Sequence, residues 1–191
     1  MFTNNYITFQ SLRFFKGDGT NAATFKDTNG SVFNGYLNRT YAADIGYNMK
    51  FGRCRGVTAS VDSSYGSSLY PGIYFGDGST PATKNDYALS SVITSGLSFT
   101  NPNDVAVEID GNGKYVVSAP FIVQNTSEAE INIYEFGVFT PISTDTSASG
   151  SITWKMVLME RTVLSEPITI LPGESKLVTY RLTFNQTMNV E

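Results

Sequence analysis

The sequence predicts an all-β protein: an antiparallel β-sandwich of the jelly-roll or Ig-like (immunoglobulin-like) kind, with a loop-rich N-terminal arm. Apolar and polar residues alternate through the C-terminal half with the two-residue period of half-buried strands. Clusters of turn-forming residues separate these runs at intervals of about 8–20 residues, as in sandwiches. Charged residues make up only 16% of the chain and aromatic residues 13%, a balance typical of β-rich proteins with Ser, Thr and Asn on their surfaces.

The N-terminal quarter differs in composition from the rest. Residues 1–50 are rich in Gly, Asn and Thr and contain few strand-like runs. We therefore predict an N-terminal arm or loop-rich hairpin extension over residues 1–50 and a β-sandwich domain over residues 51–191. Such an arm is expected to contact a neighbouring subunit, so a chain lacking residues 1–40 should still fold.

Alternation assigns three strands and the faces they share. Residues 104–110 lead through the tight turn "DGNGK" into the strand "KYVVSAPFIVQN" at residues 114–125, and "LVTYRLTF" at residues 177–184 forms another strand. In each strand the larger apolar side chains collect on one face. These faces hold Val105, Val107 and Ile109; Tyr115, Val117, Ala119, Phe121 and Val123; and Val178, Tyr180, Leu182 and Phe184.

Two further runs and one proline refine the assignment. "INIYEFGVF" at residues 131–139 predicts a strand in which Gly137 marks a bulge or a point of close packing. "ITWKMVLMERTVL" at residues 152–164 is long enough for a helix, but its β-branched and aromatic residues favour a strand. Pro120 predicts an edge strand or a bulge in its run. Residues 84–89 lack Gly and Pro, which allows one short helix there.

The composition excludes several kinds of chemistry. The chain has no histidine, which removes Ser-His-Asp and Cys-His triads and His-ligated zinc. Cys54 is the only cysteine, which excludes an internal disulfide, and we interpret it as an inert thiol between Arg53 and Arg55. The net charge is −4 without any Lys/Arg block, which argues against nucleic acid as a partner. Without a recognisable signal peptide or membrane span, we expect a soluble protein made in a cytoplasm.

The stretch "IYFGDGSTPATKNDYALSS" at residues 73–91 holds the most motif-like loop of the chain. It lacks the spacing of a P-loop, and Pro81 stands where a dinucleotide fingerprint has its last glycine. Oxygen donors for a calcium ion are present at Asp77, Asp86, Asp110 and Asn112. The EF-hand pattern is absent, so we predict no metal site. A structural corner between two strands is favoured instead, held by hydrogen bonds of Asp86 and packing of Tyr87.

Carboxylates offer the remaining route to enzymatic chemistry. Glycoside hydrolysis needs two carboxyl groups at a defined separation. The paired candidates are Glu108 with Asp110 and Glu128 with Glu130. Glu135 lies inside an apolar run, where a buried acid attracts a catalytic interpretation. The simpler interpretation is that Glu135 pairs with Arg161 or another cation across the sheet, so no catalytic residue is assigned.

Aromatic residues gather in "SSYGSSLYPGIYF", at Tyr65, Tyr70, Tyr74 and Phe75. Exposed tyrosines beside Asn and Asp favour a sugar-binding surface, because the ring faces are apolar and the hydroxyl tips form hydrogen bonds. The same residues suit a protein–protein interface. Core packing is the expected role of at least half of them.

Three segments follow one another in a recurring order: "GIYFGDGSTPATKNDYALSSVITSG", "FIVQNTSEAEINIYEFGVF" and "LMERTVLSEPITILPGESKLVTYRLTF". Together they cover about residues 72–184 and resemble small virion structural proteins of tailed bacteriophages. The residues that carry the resemblance are Gly76, Gly78, Pro81, Asp86, Tyr87, Leu89, Asn125, Thr126, Ser127, Glu135, Gly137, Leu158, Arg161, Leu164, Pro172, Gly173, Glu174, Thr179 and Tyr180.

The resemblance implies a non-enzymatic structural part of a virion: a head (capsid) decoration, a collar or a tail component. Such a protein is assembled in the host bacterial cytoplasm. Its partners would be other virion proteins and copies of itself as a homo-oligomer, with no catalytic, cofactor-binding or metal-binding residues to carry over. The alternative is a carbohydrate-binding sandwich that attaches to a host-surface glycan, since one fold hosts both functions.

Overall fold

The computed structural model describes residues 1–15, 22–36, 72–100, 106–144 and 154–184. These residues confirm the predicted all-β fold, because antiparallel strands form a five-stranded and a four-stranded sheet with a shared core. The elements are α1 (Asn4–Phe15), β1 (Ala22–Lys26), β2 (Val32–Tyr36), β3 (Gly72–Gly76), β4 (Leu97–Thr100), β5 (Ala106–Ile109), β6 (Tyr115–Asn125), β7 (Ile131–Ser143), β8 (Trp154–Ile170) and β9 (Ser175–Phe184).

One long antiparallel ribbon, folded once on itself, forms the centre of the sandwich. β7 pairs with β8 in the five-stranded sheet, and β6 pairs with β9 in the four-stranded sheet. The chain passes from one sheet to the other at residues 126–130 and again at residues 171–174. The strand predicted over residues 152–164 is confirmed for residues 154–164, which belong to β8 and pair with β7, while residues 152 and 153 lie outside the described part of the chain.

Asn125 fastens the two crossings together. Its buried side-chain nitrogen donates to the carbonyls of Ala129 at 2.7 Å and Ile170 at 2.9 Å. Its side-chain oxygen accepts from the backbone N–H and the hydroxyl of Ser127, at 2.9 and 2.7 Å. Its backbone N–H donates to the Glu174 carbonyl at 2.9 Å. A buried amide with every polar group satisfied fixes both crossings at one end of the ribbon.

Short strands complete each sheet beside its central strand. In the four-stranded sheet, β4 pairs with residues 122–125 of β6 and β5 pairs with residues 115–118. In the five-stranded sheet, β3 pairs with residues 135–139 of β7. The β1–β2 hairpin joins the same sheet where Tyr36 pairs with Ser143. Both central strands therefore have a long neighbour on one side and short neighbours in series on the other.

The core lies between the inner faces of the two sheets. In β9, Val178, Tyr180 and Leu182 are buried, whereas Leu177 is 71% exposed, which confirms the predicted faces of this strand. Burying alternate residues of both sheets supplies the hydrophobic free energy of the fold. The buried core side chains are Ile73, Phe75, Phe121, Val123, Ile133, Val138, Ile170, Val178, Tyr180 and Leu182.

β6 is a central strand with an unshifted register to β9, so Pro120 lies neither in the predicted edge strand nor at the predicted bulge. Asn125 N–H donates to the Glu174 carbonyl on the β9 side, and Thr126 N–H donates to the Gly96 carbonyl on the β4 side. Alternate residues of an antiparallel strand direct their backbone groups to opposite neighbours. Pro120 therefore faces the side of β4 and β5. β4 pairs with residues 122–125 of β6 and β5 pairs with residues 115–118, so Pro120 lies between the two paired stretches. The missing N–H of Pro120 therefore removes no hydrogen bond to β4 or to β5.

The loop over residues 84–89 forms turns and no helix. The Asp86 carboxylate accepts from the backbone N–H of Thr83 at 2.9 Å and from its hydroxyl at 2.7 Å. Asp86 N–H donates to the Thr83 carbonyl at 3.2 Å. Side chains that form hydrogen bonds to neighbouring backbone groups compete with helix formation. This competition explains why no helix forms here, although the stretch lacks Gly and Pro.

β5 and its turn follow the predicted pattern with one difference. Val107 and Ile109 share a face, but the edge position of β5 leaves them 68% and 61% exposed. The "DGNGK" turn forms as predicted: the Asp110 carboxylate accepts from the backbone N–H groups of Asn112 and Lys114, at 2.8 and 2.9 Å. Val105 and Phe184 carry side chains outside the described part of the chain.

The described part of the predicted N-terminal arm is packed into the fold. α1 lies against β1 and β8, and its Phe9 is buried with Phe25 of β1. Thr3 N–H donates to the Met159 carbonyl at the edge of β8, at 3.0 Å. Loss of residues 1–40 would therefore remove core side chains and destabilise the sheet, in contrast to the sequence-based expectation. The predicted boundary between residues 50 and 51 lies outside the described residues.

Candidate functional site

Among the described residues, the most deeply buried charges lie on the outer face of the five-stranded sheet. Glu135 on β7 is 0% exposed and Arg161 on β8 is 3% exposed. Arg161 Nε donates to the Glu135 carboxylate and Nη1 donates to the Asp86 carboxylate, each at 2.7 Å. Nη2 donates to the Thr80 carbonyl and to the Ser90 hydroxyl, each at 2.9 Å. These five residues form the Arg161 cluster, in which Glu135 pairs with the cation predicted for it.

The loop that follows β3 closes over this cluster. The second oxygen of Glu135 accepts from the Ser91 N–H at 2.8 Å and from the Ser90 hydroxyl at 3.0 Å. A Cβ on Gly76 would lie 2.7 Å from Glu135 Oε1 and would overlap the Ser91 carbonyl; a Cβ on Gly78 would lie 2.5 Å from the same Oε1. The two glycines are needed because the backbone passes directly over a buried carboxylate. The glycine-rich stretch is a structural corner, as predicted.

Asp86 and Tyr87 both hold this loop, as expected. Asp86 joins the Thr83 turn to the guanidinium of the cluster. The Tyr87 ring lies 4.1 Å from Lys26 Nζ and rests against Gly30, where a Cβ would come within 3.2 Å of the ring. The φ of Gly30 is +83°, a conformation that favours glycine. The loop is thereby fastened to the β1–β2 turn as well as to β8.

Burial and hydrogen bonding oppose each other at the charged groups of the cluster. Burial alone would raise the pKa of Asp86, but the Thr83 N–H, the Arg161 guanidinium and the Thr83 hydroxyl outweigh it and hold the pKa below its usual value. Burial would lower the pKa of Arg161, whereas Asp86 and Glu135 raise it above its usual value. Asp86 and Arg161 are therefore both charged at neutral pH.

A second buried carboxylate links the two sheets. Glu160 on β8 accepts from the Tyr180 hydroxyl of β9 at 2.7 Å, from the Thr162 hydroxyl at 2.6 Å and from the amino group of Met1 at 2.6 Å. Burial, followed by the charge of Glu160 and the hydrogen bond to it, raises the pKa of Tyr180. The phenol stays protonated and acts as a donor between the sheets.

A third buried carboxylate organises the β1–β2 turn. Asp27 accepts from Lys155 Nζ of β8 at 2.8 Å and from the backbone N–H groups of Asn29 and Ser31, at 3.0 and 2.8 Å. Burial would raise the pKa of Asp27, but the bonds from Lys155, Ser31 and Asn29 outweigh it and lower the pKa. Each of these three buried carboxylates is thus held by donors from its own chain.

The carboxylate pairs considered for glycoside hydrolysis are occupied separately. Glu108 lies 3.3 Å from Arg181 on the surface, while Asp110 caps its own turn, where the Lys114 and Asn112 N–H groups lower its pKa. Glu130 accepts from the Asn132 side chain at 2.8 Å. Glu128 is an exposed residue of the 126–130 crossing. These acids serve local turns and surface pairs in the described structure.

The oxygen donors considered for calcium lie at different places. Asp77 lines a cavity of about 330 Å³ together with Glu130 and Asn132. Asp86 belongs to the Arg161 cluster, and Asp110 caps the β5–β6 turn. Within the described ranges no three acidic, His or Cys side chains come together in a metal-binding group.

A second cavity, of about 280 Å³, opens between α1, β1 and the loop around residue 85. Lys26 and Lys84 lie at this cavity, and neither has a carboxylate within ion-pair distance in the described part of the chain. Amide and hydroxyl side chains and the Phe25 ring complete its wall, while Asp86 at its edge is held by Arg161. The polar side chains of the wall are Asn4, Asn5, Thr8, Thr24 and Asn85. We call this space the Lys26–Lys84 cavity.

The predicted aromatic surface is only partly described. Phe75 is buried in the core, and Tyr74 is half-buried with its ring 5.0 Å from that of Phe139. Both therefore have the packing role expected of at least half of the group. Tyr65 and Tyr70 lie outside the described residues, as does Cys54 with its neighbours Arg53 and Arg55.

Sequence reasoning missed three parts of this arrangement, of which the first is the bond between Glu160 and Tyr180 that links the sheets. The Asp27–Lys155 pair was not predicted, although "DTNG" at residues 27–30 is a turn signal in which an Asp side chain caps the following N–H groups. The Lys26–Lys84 cavity was missed because α1, which forms one wall, was not identified. The first turn of α1 contains no acidic residue to mark where the helix begins.

Comparisons with known proteins add no relative. Searches of protein-family models, of curated proteins and of solved structures found no match to this chain. In the segments that the structure covers, no helix is long and apolar enough to span a membrane. Functional proposals therefore rest on the geometry of this chain and on the resemblance over residues 72–184.

Proposed function

We propose that this chain is a non-enzymatic structural protein of a tailed-bacteriophage virion, located in a head decoration, collar or tail component. The Arg161 cluster carries this proposal. Its guanidinium and both carboxylates are committed to holding one loop on the five-stranded sheet. Buried ion pairs contribute little to net stability, and their main effect is to favour one specific, rigid arrangement of the groups around them. A rigid loop of this kind suits a repeated building block.

The resemblance to virion proteins supports the same proposal. Its residues coincide with those that fix the framework of the sandwich. Some belong to the Arg161 cluster or to the loop that covers it, and others belong to the two crossings of the ribbon. These residues are Gly76, Gly78, Asp86, Glu135 and Arg161, and Asn125, Ser127, Gly173 and Glu174.

The partners in this proposal are other virion proteins and further copies of the chain. Repeated copies in a particle obey its rotational symmetry, so one surface is used many times. Assembly takes place in the host bacterial cytoplasm. The proposed role involves neither a cofactor nor nucleic acid.

Quantitative mass spectrometry of purified particles tests this function. Particles are purified from the culture that produces this chain. The amount of its peptides is then compared with the amount of peptides from the major capsid protein in the same particles. Hundreds of copies per particle indicate head decoration, and about six to a few dozen indicate a collar, neck or tail position. Absence from particles that contain the other virion proteins would contradict the proposal.

Carbohydrate binding is the second candidate function, and the Lys26–Lys84 cavity favours it. The amide and hydroxyl groups of Asn4, Thr8, Thr24 and Asn85 match the donors and acceptors of a sugar. Lys26 and Lys84 have no carboxylate partner among the described residues, which favours a sugar that carries a carboxylate. The cavity volume of about 280 Å³ suits one small ring. In this second candidate the sandwich attaches to an acidic host-surface glycan.

A further inference from the structure

One edge of β9 has no neighbouring strand in the described ranges. Odd-numbered residues of β6 bond to β9, as the Asn125 N–H to the Glu174 carbonyl shows. The β6–β9 register runs without a shift and pairs odd β6 residues with even β9 residues. Backbone groups of odd-numbered β9 residues therefore point away from β6. They belong to Ser175, Leu177, Thr179, Arg181 and Thr183.

Pro120 supports this direction independently. It pairs with Thr179 in the register, and proline has no N–H to donate. A hydrogen-bonded pair at this position would lack one of its two bonds. Pro120 and Thr179 therefore form a non-hydrogen-bonded pair. In such a pair the N–H and carbonyl of Thr179 point away from β6, towards the free edge of β9.

Within the described residues, β9 lacks the usual devices that prevent strand addition. Natural edge strands are short, carry proline, bulges or free charges, or are covered. β9 has ten residues, no proline and an unshifted register. Its two cations are engaged by their own chain: Lys176 Nζ donates to the Thr169 carbonyl, and Arg181 lies 3.3 Å from Glu108.

We propose that two copies of this chain associate through β9, antiparallel, about a two-fold axis at Thr179. Each copy then donates from the outward N–H groups of one β9 to the carbonyls of the other, and the two four-stranded sheets become continuous. This inference rests on the homo-oligomer in the proposed function and names its surface.

The side chains select this register over its neighbours. An axis at Thr179 aligns all residues from 175 to 183 and sets Leu177 opposite Arg181 of the second copy. The aliphatic part of the arginine covers the leucine, which is 71% exposed in the single chain. Thr179 lies opposite its own copy, and threonine pairs are favourable across strands. An axis at Arg181 would place two like charges opposite each other and overlap less of the strand.

Paired cysteine variants of the full chain test the axis. Cys54→Ser/Thr179→Cys is compared with Cys54→Ser/Thr183→Cys, both on exposed threonines of the same face of β9. Opposed residues lie about 5.5 Å apart between Cα atoms, within disulfide range. We expect mild oxidation to link two chains through residue 179 only, because residue 183 faces Ser175 of the second copy. Linkage through residue 183 only, or through neither residue, overturns the register.

A charge pair tests the association itself without oxidation. Light scattering should give twice the mass of one chain for the wild type and for Thr183→Lys, but the mass of one chain for Thr179→Lys. Circular dichroism confirms that each variant is folded. A folded wild type with the mass of one chain at high protein concentration overturns the inference. If such a monomeric chain is found in particles, the virion role holds and only the dimer is ruled out. A dimer that is absent from particles supports the β9 interface and contradicts the virion role.

Discussion

Arg161 pairs with Gly137 in the β7–β8 register, but its Nε donates to Glu135, two residues earlier on β7, at 2.7 Å. The guanidinium therefore reaches along the sheet to the next residue on the same face. A Cβ at Gly137 would lie 2.7 Å from Leu158 Cδ1 and 3.0 Å from Leu89 Cδ2. This confirms the predicted close packing at Gly137.

Replacing Arg161 should be among the most damaging single changes. Arg161→Met leaves Glu135 buried without its cation, and we expect a loss of about 3–5 kcal/mol in the free energy of unfolding. Urea denaturation followed by circular dichroism measures this loss. The control is Glu108→Gln, which removes the same kind of ion pair at the surface, with Arg181, and should cost about 0–1 kcal/mol. Adding Glu135→Gln to Arg161→Met should restore part of the loss, and equal stability of single and double variants would contradict this account.

The glycine-rich corner should not accept a side chain. Gly76→Ala pushes a methyl group against the Ser91 carbonyl and Glu135 Oε1, so we expect a cost of about 1–3 kcal/mol. Gly111→Ala is the matched control, since nothing lies within 4 Å of its added Cβ. Thermal denaturation of both variants compares the two positions. Similar melting temperatures would argue against a closely packed corner.

Asn125 should be indispensable to the folded ribbon. Asn125→Ala leaves the Ala129 and Ile170 carbonyls without their donor, and buried unsatisfied groups cost about 1–3 kcal/mol each. We expect a loss of at least about 2 kcal/mol in urea denaturation. Gln124→Ala, on the exposed neighbouring residue, should change the stability little. A small effect at residue 125 would mean that the crossings hold without it.

Acid should weaken the grip of Asp86 on the loop. Folding lowers the pKa of Asp86, so its contribution is fully present above the unfolded value of about 3.9 and is lost as pH falls through the lower folded value. Asp86→Asn removes this titration. We expect the stability difference between wild type and variant to shrink below about pH 4. A difference that stays constant down to about pH 3 would assign the stabilisation to something other than charge.

The Lys26–Lys84 cavity should distinguish acidic from neutral sugars. Titrating the protein with glucuronate, followed by NMR, should shift resonances of residues around the cavity, while glucose should give little response. Lys84→Ala should weaken the response to glucuronate by about tenfold if one charge-assisted bond is lost. Lys114→Ala, at the β5–β6 turn, should leave it unchanged. Equal responses to both sugars, or none in a folded protein, would remove the second candidate function.

The strands of the ribbon were predictable because apolar and polar residues alternate along them, and this local pattern indicates which side chains are buried. Val178, Tyr180 and Leu182 are an example, since their neighbours are polar or exposed. The neighbour of each strand edge was not predictable in the same way. Pro120 was expected at an edge, yet it lies in a central strand, at a gap that depends on where β4 and β5 end.

The site was predictable one residue at a time. Glu135 is an isolated acid in an apolar run, so a cationic partner across the sheet could be expected. Its bonds to Ser90 and Ser91, and the bond from Arg161 to Asp86, come from a loop far away in the sequence. No periodicity connects such distant positions, because tertiary packing alone brings them together.

The folded ribbon also has a consequence for how the chain acquires its structure. Ser143 and Trp154 pair close together in sequence, whereas Tyr115 must find Phe184 near the opposite end of the same ribbon. Closing a long loop costs more conformational entropy than closing a short one. We therefore expect strand pairing to begin between Ser143 and Trp154 and to proceed from there towards Tyr115 and Phe184. Until β9 has been synthesised and added, β6 exposes apolar residues such as Phe121 to the solvent of the cell. The nascent chain therefore passes through an aggregation-prone interval that ends only when β9 docks.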